Sequence, residues 1–271
     1  MKNIPILDKM SELDVAIEAA YEAGNSILEI YEGKYETFTK SDDSPITEAD
    51  LKSNEIIKAI LSKTNHKILS EEDKDDQKRL SEEIIWIVDP LDGTSDFIDK
   101  TGEFTVMIAL IKNKKPIIGV IGWPTEKTIF AAQKGCGAFR FSKGKWEKIS
   151  VTKVSELSKC KAVGSRHHLS EKEKMFIKRL GIKDFTSVGS SLKVGKISSG
   201  EAEAYITTTN KMKEWDSAAS YCLISEAGGK MTDMSGNDIT YNNKIVNHQN
   251  GILVTNGLIH DKIVEEFKKL D

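Results

Sequence analysis

Hydrophobic positions recur along this chain with two different periods, and the change of period marks its elements. From Ser11 to Tyr31, Ala16, Ala19, Ala20, Ala23, Ile27 and Ile30 fall on one side of a 3.6-residue turn. That spacing predicts an amphipathic helix, with Ser11 placed to cap it and Asp14 in its first turn. The stretch Glu32 to Ser44 is polar and without period, and reads as a flexible segment. Pro45-Ile46-Thr47-Glu48-Ala49-Asp50 opens a second helix reaching about Leu61, with Ile56, Ile57, Ile60 and Leu61 as its apolar face. Apolar runs of strand length follow at Ile68-Leu69-Ser70, Ile84 to Val88, Phe104 to Ile111, Ile117 to Trp123, Thr128 to Ala132, Ala138 to Phe141 and Trp146 to Val151. Asn113-Lys114-Lys115 reads as a hairpin turn, and the charged run Asp73 to Glu83 as a solvated loop or short helix. Pro90, which has no N–H to donate, is expected to end the Ile84–Val88 strand.

Beyond about residues 151–160 the pattern alternates. Strands are predicted at Ala162–Ser165, Phe185–Val188, Ala204–Ile206 and Ile252–Thr255. Between them lie helices at Ser170–Leu180, capped by Ser170, at Leu192–Ser199, stopped by Gly200, and at Glu214–Ala227, closed by Gly228-Gly229. A last helix runs over Leu258–Leu270. The expectation is an N-terminal α+β half, residues 1–155, with two helices on a mostly antiparallel sheet. An α/β half, residues 156–271, packs closely against it, with a site where the two meet.

Composition narrows the function classes. A hydrophobic fraction of 39% over 271 residues is enough for a sizeable core. A net charge of −3 with no basic block argues against a nucleic-acid polymer or a membrane surface as partner. No apolar run approaches the roughly 20 residues of a membrane span, and Met1 to Asp14 lacks the apolar core of a signal peptide. Cys136, Cys160 and Cys222 are odd in number and widely spaced, as expected of buried thiols in a reducing cytoplasm rather than of a disulfide framework or a zinc site.

The candidate chemistry gathers at Trp86-Ile87-Val88-Asp89-Pro90-Leu91-Asp92-Gly93-Thr94. Two carboxylates follow a buried strand, Gly93 permits a close backbone approach, and Thr94 can begin a helix whose first N–H groups face an anion. Carboxylates beside an anion-binding turn call for a cation between them. Glu71 ends another apolar strand and could join Asp89, or it could belong to a charged loop. Asp216, in Glu214-Trp215-Asp216-Ser217-Ala218-Ala219, could serve the same site or simply stabilise a helix start. Asp50 could act in the site or close a capping box with Thr47. Spacing alone does not assemble these acids. If they converge, Glu71, Asp89, Asp92, Asp216 and a carbonyl such as that of Leu91 make an all-oxygen set suited to Mg²⁺ or Mn²⁺. Neither a P-loop, a Gly-x-Ser-x-Gly elbow nor zinc-protease spacing is present, so His167 and His168 read as substrate-side or surface residues.

Asp89-Pro90-Leu91-Asp92-Gly93-Thr94 together with Trp215-Asp216-Ser217-Ala218-Ala219 resembles the paired signatures of the inositol monophosphatase family of metal-dependent, lithium-sensitive phosphatases. Ser44-Pro45-Ile46-Thr47-Glu48-Ala49-Asp50, Leu69-Ser70-Glu71-Glu72, Gly102-Glu103-Phe104-Thr105-Val106, Ser165-Arg166-His167 and Gly189-Ser190-Ser191-Leu192-Lys193 look like its CysQ branch, the 3′(2′),5′-bisphosphate nucleotidases. The resemblance spans nearly the whole chain. It implies a layered α-β-α-β-α sandwich and hydrolysis of the 3′-phosphate of adenosine 3′,5′-bisphosphate to AMP and phosphate, a step of sulfur metabolism. By the same resemblance, two or three Mg²⁺ ions, with Mn²⁺ as a substitute, would be held by Glu71, Asp89, Leu91, Asp92 and Asp216. Asp50 and Thr94 would position and deprotonate the attacking water. Substrate contacts would come from Glu71, Leu91, Asp92, Gly93, Thr94, Arg166, His167, Ser191, Lys193 and Asp216. It further implies a small phosphorylated metabolite as partner, a monomer or homodimer, and a place in the cytoplasm or at the inner face of the membrane. One departure stands out. Where nucleotide-specific relatives carry an arginine, this chain has Thr207-Thr208-Thr209-Asn210-Lys211-Met212-Lys213, so Lys211 or Lys213 would have to replace it as a point charge. The alternatives are an inositol monophosphatase, a fructose 1,6-bisphosphatase, or a non-catalytic metal- and nucleotide-binding protein.

Overall fold

The computed structural model describes residues 3–40 and 44–270. In chain order the elements are α1 (Ser11–Glu32), β1 (Thr37–Thr39), β2 (Pro45–Thr47), α2 (Glu48–Leu61), β3 (Lys67–Ser70), β4 (Ile84–Asp92), α3 (Thr94–Ile98), β5 (Thr105–Lys112), β6 (Lys115–Trp123), β7 (Thr128–Gln133), β8 (Gly137–Ser142) and β9 (Lys145–Ile149). There follow β10 (Lys161–Ser165), α4 (Glu171–Arg179), β11 (Asp184–Val188), α5 (Leu192–Ser198), β12 (Ala204–Thr207), α6 (Ala218–Glu226), β13 (Lys230–Thr232), β14 (Ile252–Thr255) and α7 (His260–Lys268).

The apolar runs between residues 84 and 133 are continuous because their strands are covered on both faces. Trp86 and Val88 of β4, with Val106, Ile108 and Leu110 of β5, pack under α1 and α2. Their neighbours Ile85, Ile87, Met107, Ala109 and Ile111 point the other way, into a second core. The sheet they belong to has seven strands in sequence order, β3 to β9, and only the β3–β4 pair is parallel. A five-stranded sheet, β11-β10-β12-β14-β13, carries two further parallel pairs, β10–β11 and β10–β12. Between the sheets lie α5 and α6, with α6 against β5 to β8. At Gly119 of β6 a Cβ would sit 2.4 Å from the Ala219 carbonyl oxygen, so only glycine lets α6 approach this closely. On the far face, Phe176 and Ile177 of α4 and Ile263 of α7 close a third core over Ala204, Ile206 and Leu253. The layers are therefore helix, sheet, helix, sheet, helix, the expected α-β-α-β-α sandwich.

Several local expectations change. Ser11 does not cap α1; Met10 holds the cap position, and its N–H donates to Gln133 Oε1 at 2.8 Å. Pro45-Ile46-Thr47 is a strand, paired antiparallel with β1, so α2 starts at Glu48. The segment read as flexible thus contains half of a hairpin, while its Ser41, Asp42 and Asp43 lie outside the described residues. Pro90 does not stop β4, which continues to Asp92 through a register shift against β5 between Asp89 and Asp92. Pro90 sits inside that irregularity, where a missing donor costs nothing. Residues 214–217 precede α6 as a turn instead of forming its first turn, and β13 had no sequence signal strong enough to place it. Cys160 and Cys222 are buried and Cys136 is half-buried; all three are free thiols. Among the described residues no helix is long and apolar enough to cross a membrane.

Candidate active site

Parallel strand pairs aim their carboxyl ends in one direction, and the candidate residues follow those ends. β3 and β4 are in register from Lys67–Ile85 to Ser70–Val88, so the next residue of each strand is Glu71 and Asp89. The Glu71 N–H donates to the Val88 carbonyl at 3.2 Å and fixes that alignment past the strand end. One carboxylate oxygen from each of Glu71, Asp89 and Asp216 lies within 4.8 Å of the other two. Asp216 comes from the turn before α6, where its Oδ2 accepts the Lys213 N–H at 2.7 Å. Asp89 is buried, and its Oδ1 accepts the Leu91 N–H at 3.1 Å. Asp92 is not one of these three; it lies near enough for its charge to raise the Asp89 pKa. Its Oδ2 accepts the Ser191 N–H at 2.5 Å and the Thr105 hydroxyl at 3.4 Å, which ties the bulge of β4 to the start of α5.

The electrostatics of this group demand compensation. Burial raises the pKa of Asp89 well above the ordinary carboxylate range, and the charges of Glu71, Asp92 and Asp216 raise it further. Asp216 is held high by burial and by Glu71. Burial pushes Asp92 up to about 6, against the pull of the Lys193 ammonium and the Ser191 N–H. Converging carboxylates that repel one another in a desolvated place are a donor set for a hard divalent cation, and the oxygen-only chemistry fits Mg²⁺ or Mn²⁺.

Beside the acids lies a second pair. The Thr94 hydroxyl donates to Asp50 Oδ1 at 3.0 Å. Asp50 Oδ2 accepts the Thr47 N–H at 2.8 Å and the Thr47 hydroxyl at 2.6 Å, and Thr47 caps α2 in return. The capping-box reading of Asp50 is thus realised by one carboxylate oxygen, while the other faces Thr94. Burial raises the Asp50 pKa, opposed by the hydrogen bonds from Thr47 and Thr94. Gly93 precedes α3 with φ of 93°, and a Cβ there would crowd the Glu103 carbonyl and Ser190 at 3.2 Å. Ser53 Oγ donates to the Pro90 carbonyl at 2.7 Å, so α2 also holds the bulge.

Of the predicted substrate-side residues, Arg166, His167 and Ser191 lie on the loops that leave β10 and β11, and Lys193 lies in the first turn of α5. Arg166 pairs with Asp96 at 3.3 Å and with Glu103 at 2.5 Å, and His167 Nε2 is 3.4 Å from Asp96. Glu103 also accepts the Gly189 N–H at 2.7 Å, which links the Arg166 loop to the Gly189-Ser190-Ser191 turn. Ser191 Oγ is 2.7 Å from Thr105 Oγ1. Lys193 is buried beneath the turn, its ammonium donating to the carbonyls of Val188 and Ser190. Lys213 stands over the Trp215 ring at 5.2 Å and opposes the rise that burial imposes on the Asp216 pKa, whereas Lys211 is exposed. Sequence reasoning missed Lys40, which bridges Glu71 at 2.8 Å and Glu72 at 2.7 Å. It lies directly after β1, and nothing in a polar segment without period announces the hairpin that delivers it. Glu103, which with Asp96 organises Arg166, lay in a stretch resembling the CysQ branch but was assigned no role, and Asp96 carried no signal beyond being an acid near the central motif.

A sequence profile of the inositol monophosphatase family matches residues 8–271. The chain belongs to the inositol monophosphatase family. It is 34% identical over 237 residues to the 3′(2′),5′-bisphosphate nucleotidase CysQ of Escherichia coli K12, covering 84% of this chain and 93% of that protein. Among solved structures, CysQ from Bacteroides thetaiotaomicron superimposes with a TM-score of 0.80 at 34% identity, covering 91% of this chain and 97% of the other. An inositol monophosphatase of Thermotoga maritima gives 0.81 at 25% identity over 96% and 98%. This family member is accordingly a phosphatase with a metal-dependent lineage, and its acidic cluster lies where the seven-stranded sheet meets the helical layer between the sheets.

Proposed function

We propose that this phosphatase is a Mg²⁺-dependent 3′(2′),5′-bisphosphate nucleotidase that hydrolyses the 3′-phosphate of adenosine 3′,5′-bisphosphate to AMP and phosphate. The observation that carries the reading is the convergence of Glu71, Asp89 and Asp216 beside the Thr94–Asp50 hydrogen bond. The CysQ relatives, matched over nearly their full length, supply the substrate class. Glu71, Asp89, Asp92, Asp216 and the Leu91 carbonyl would hold the ions. When bound, such ions polarise a phosphoryl oxygen and lower the pKa of a water.

The protein's own part is positional. Thr94, donating its proton to Asp50, keeps its hydroxyl lone pairs turned outward to accept a hydrogen from the attacking water, and Asp50 is the proton's destination. Thr47 holds Asp50 rigidly enough for that alignment to persist. Gly93 and Thr94 at the start of α3 offer backbone N–H groups to the phosphate. Arg166, His167, Ser191 and Lys193 belong to the nucleotide side, Lys193 acting as positive charge beneath the turn that carries Ser191.

A second reading rests on the Thr207–Lys213 departure. Without an arginine there, a sugar phosphate such as inositol 1-phosphate or fructose 1,6-bisphosphate becomes the competing substrate, and the fold itself does not separate the two. The test is phosphate release with Mg²⁺ from these three compounds side by side. A dominant kcat/KM for the nucleotide supports the proposal; preference for either sugar phosphate overturns the substrate and keeps the site. Mg²⁺ and nucleotide binding without release from any of them would indicate a non-catalytic binding protein.

A further inference from the structure

Glu214 is buried, at 1% exposure, and lies two residues before Asp216. A carboxylate is costly in such a place unless its oxygens are fully engaged. Here Oε2 accepts the Asn242 N–H at 2.7 Å, while Oε1 accepts both the Asn243 N–H and the Asn243 side-chain amide at 2.9 Å. Three donors converge on two oxygens, so the position requires a group that only accepts. One step further out lies a guanidinium whose own carboxylate partner is Asp75, at 2.8 Å. Arg79, also buried, donates to Asn242 Oδ1 at 2.7 Å and to the Asn243 carbonyl at 3.0 Å, and Asn242 returns an amide bond to the Arg79 carbonyl at 3.1 Å. Asn242 adopts φ of 59°, the left-handed conformation that asparagine tolerates better than most residues. Further along, the Glu214 N–H donates to the Val246 carbonyl at 2.9 Å and the His248 N–H to the Met212 carbonyl at 2.8 Å. The ring of His248 meets Ser217 Oγ at 2.7 Å, and the Tyr241 hydroxyl lies 3.1 Å from the same atom. The turn bearing Asp216 is therefore rooted on both flanks in the irregular segment 241–248, while Asp216 itself projects toward Glu71 and Asp89.

We propose that Glu214 is a positioning residue for Asp216. Its anchorage on Asn242 and Asn243 sets the distance of Asp216 from Glu71 and Asp89, and so sets the affinity of the cluster for a divalent cation. The inference rests on the metal-site reading and goes beyond it. A glutamine at position 214 would present an N–H₂ to an N–H donor and break one of the three bonds, which makes Glu214→Gln a sharp probe of similar size.

The experiment is calorimetric titration of the free enzyme with Mg²⁺, without substrate, alongside the thermal stability of the metal-free protein. Glu214→Gln is expected to weaken Mg²⁺ binding at least tenfold. Asn243→Ala, which removes one donor and leaves the backbone intact, is expected to weaken it severalfold. Ile263→Val, in the outer core far from the cluster, serves as a control for general destabilisation and is expected to leave the affinity within twofold. Wild-type Mg²⁺ affinity in both Glu214→Gln and Asn243→Ala overturns the proposal, as does an equal loss in Ile263→Val. Asp216→Asn separates this from failure of the underlying reading: unchanged Mg²⁺ binding in that variant means the cluster is not the metal site at all.

Discussion

At the scale of single residues, Asp89 and Asp50 do different work with the same functional group. Asp89 is buried among like charges that raise its pKa, so its ionised form is strained until a cation arrives. Asp89→Asn removes that charge at nearly constant shape. Turnover should fall on the order of 10³-fold, matching the several kcal/mol that an ion's charge stabilisation supplies. The metal-free variant should at the same time melt no lower than the wild type. A phosphate-release assay paired with a thermal melt reads both, and wild-type activity in the variant would remove Asp89 from the site. Burial raises the pKa of Asp50 too, but there hydrogen bonds from Thr47 and Thr94 stabilise the carboxylate in opposition. Asp50→Asn can still accept from Thr47 but offers the wrong partner to Thr94, so kcat should drop about 10²-fold with the melting temperature kept. Asp50→Ala should add a loss of about 1 kcal/mol from the broken capping box. Thr94→Val should reproduce the kinetic loss alone; if it turns over normally, the proton path does not pass through Thr94.

At the scale of elements, buried titratable side chains make the packing measurable. His260 opens α7 with no exposed surface, its ring nitrogens against the hydroxyls of Thr232 and Thr255 on β13 and β14. Burial, with Lys230 nearby, lowers its pKa to about 4 from an unfolded value near 6.5. Between those values the unfolded chain binds a proton that the folded chain refuses, so stability is lost as pH falls from about 6.5 toward about 4. Above 6.5 the contribution is flat. The slope is at most about 1.4 kcal/mol per pH unit. Urea unfolding of wild type and His260→Gln across pH 7 to 4.5 isolates it, because other titrating groups cancel in the difference; a pH-independent difference would falsify the assignment. The element pattern that places such groups was readable where burial covers whole faces. α1 and α2 show their period openly, and the strands from Ile84 to Gln133 show as continuous apolar runs. β1 and β13, three residues each, were not readable, since β1 is exposed along its length and neither is long enough to establish a period. Pro90 misled because a local rule, that proline ends a strand, yields to a bulge supported by Ser53. The site was legible as a set of acids and not as a place. The Glu71–Asp89 juxtaposition needs the parallel register of β3 on β4, and Asp216 is brought in by hydrogen bonds from residues 241–248, which carry no pattern in sequence.

At the scale of the whole molecule, the candidate site is a seam. Glu71, Asp89 and Asp92 leave the seven-stranded sheet, Asp216 leaves the helical layer between the sheets, and Arg166 and Ser191 sit on loops of the five-stranded sheet. The middle core beneath them is continuous, taking Ile85 and Met107 from one sheet and Val163 and Tyr205 from the other. A cation held by these acids would need both the seven-stranded sheet and the helical layer in place, so it would bind the folded state and find no comparable site in the unfolded chain. Mass action then makes stability depend on its concentration: at about 100 times Kd the gain is about 2.7 kcal/mol, which for a chain of this size corresponds to roughly 5–10 °C in melting temperature. The wild-type midpoint should therefore climb with the logarithm of Mg²⁺ once Kd is passed, while Asp89→Asn stays flat over the same range. Scanning fluorimetry across a Mg²⁺ series at constant ionic strength checks this, with NaCl replacing MgCl₂ to hold screening fixed. Parallel climbs in both proteins would mean that the ion acts on surface charge in general, and the seam would then hold its carboxylates together by proton sharing and by Lys40 rather than by metal.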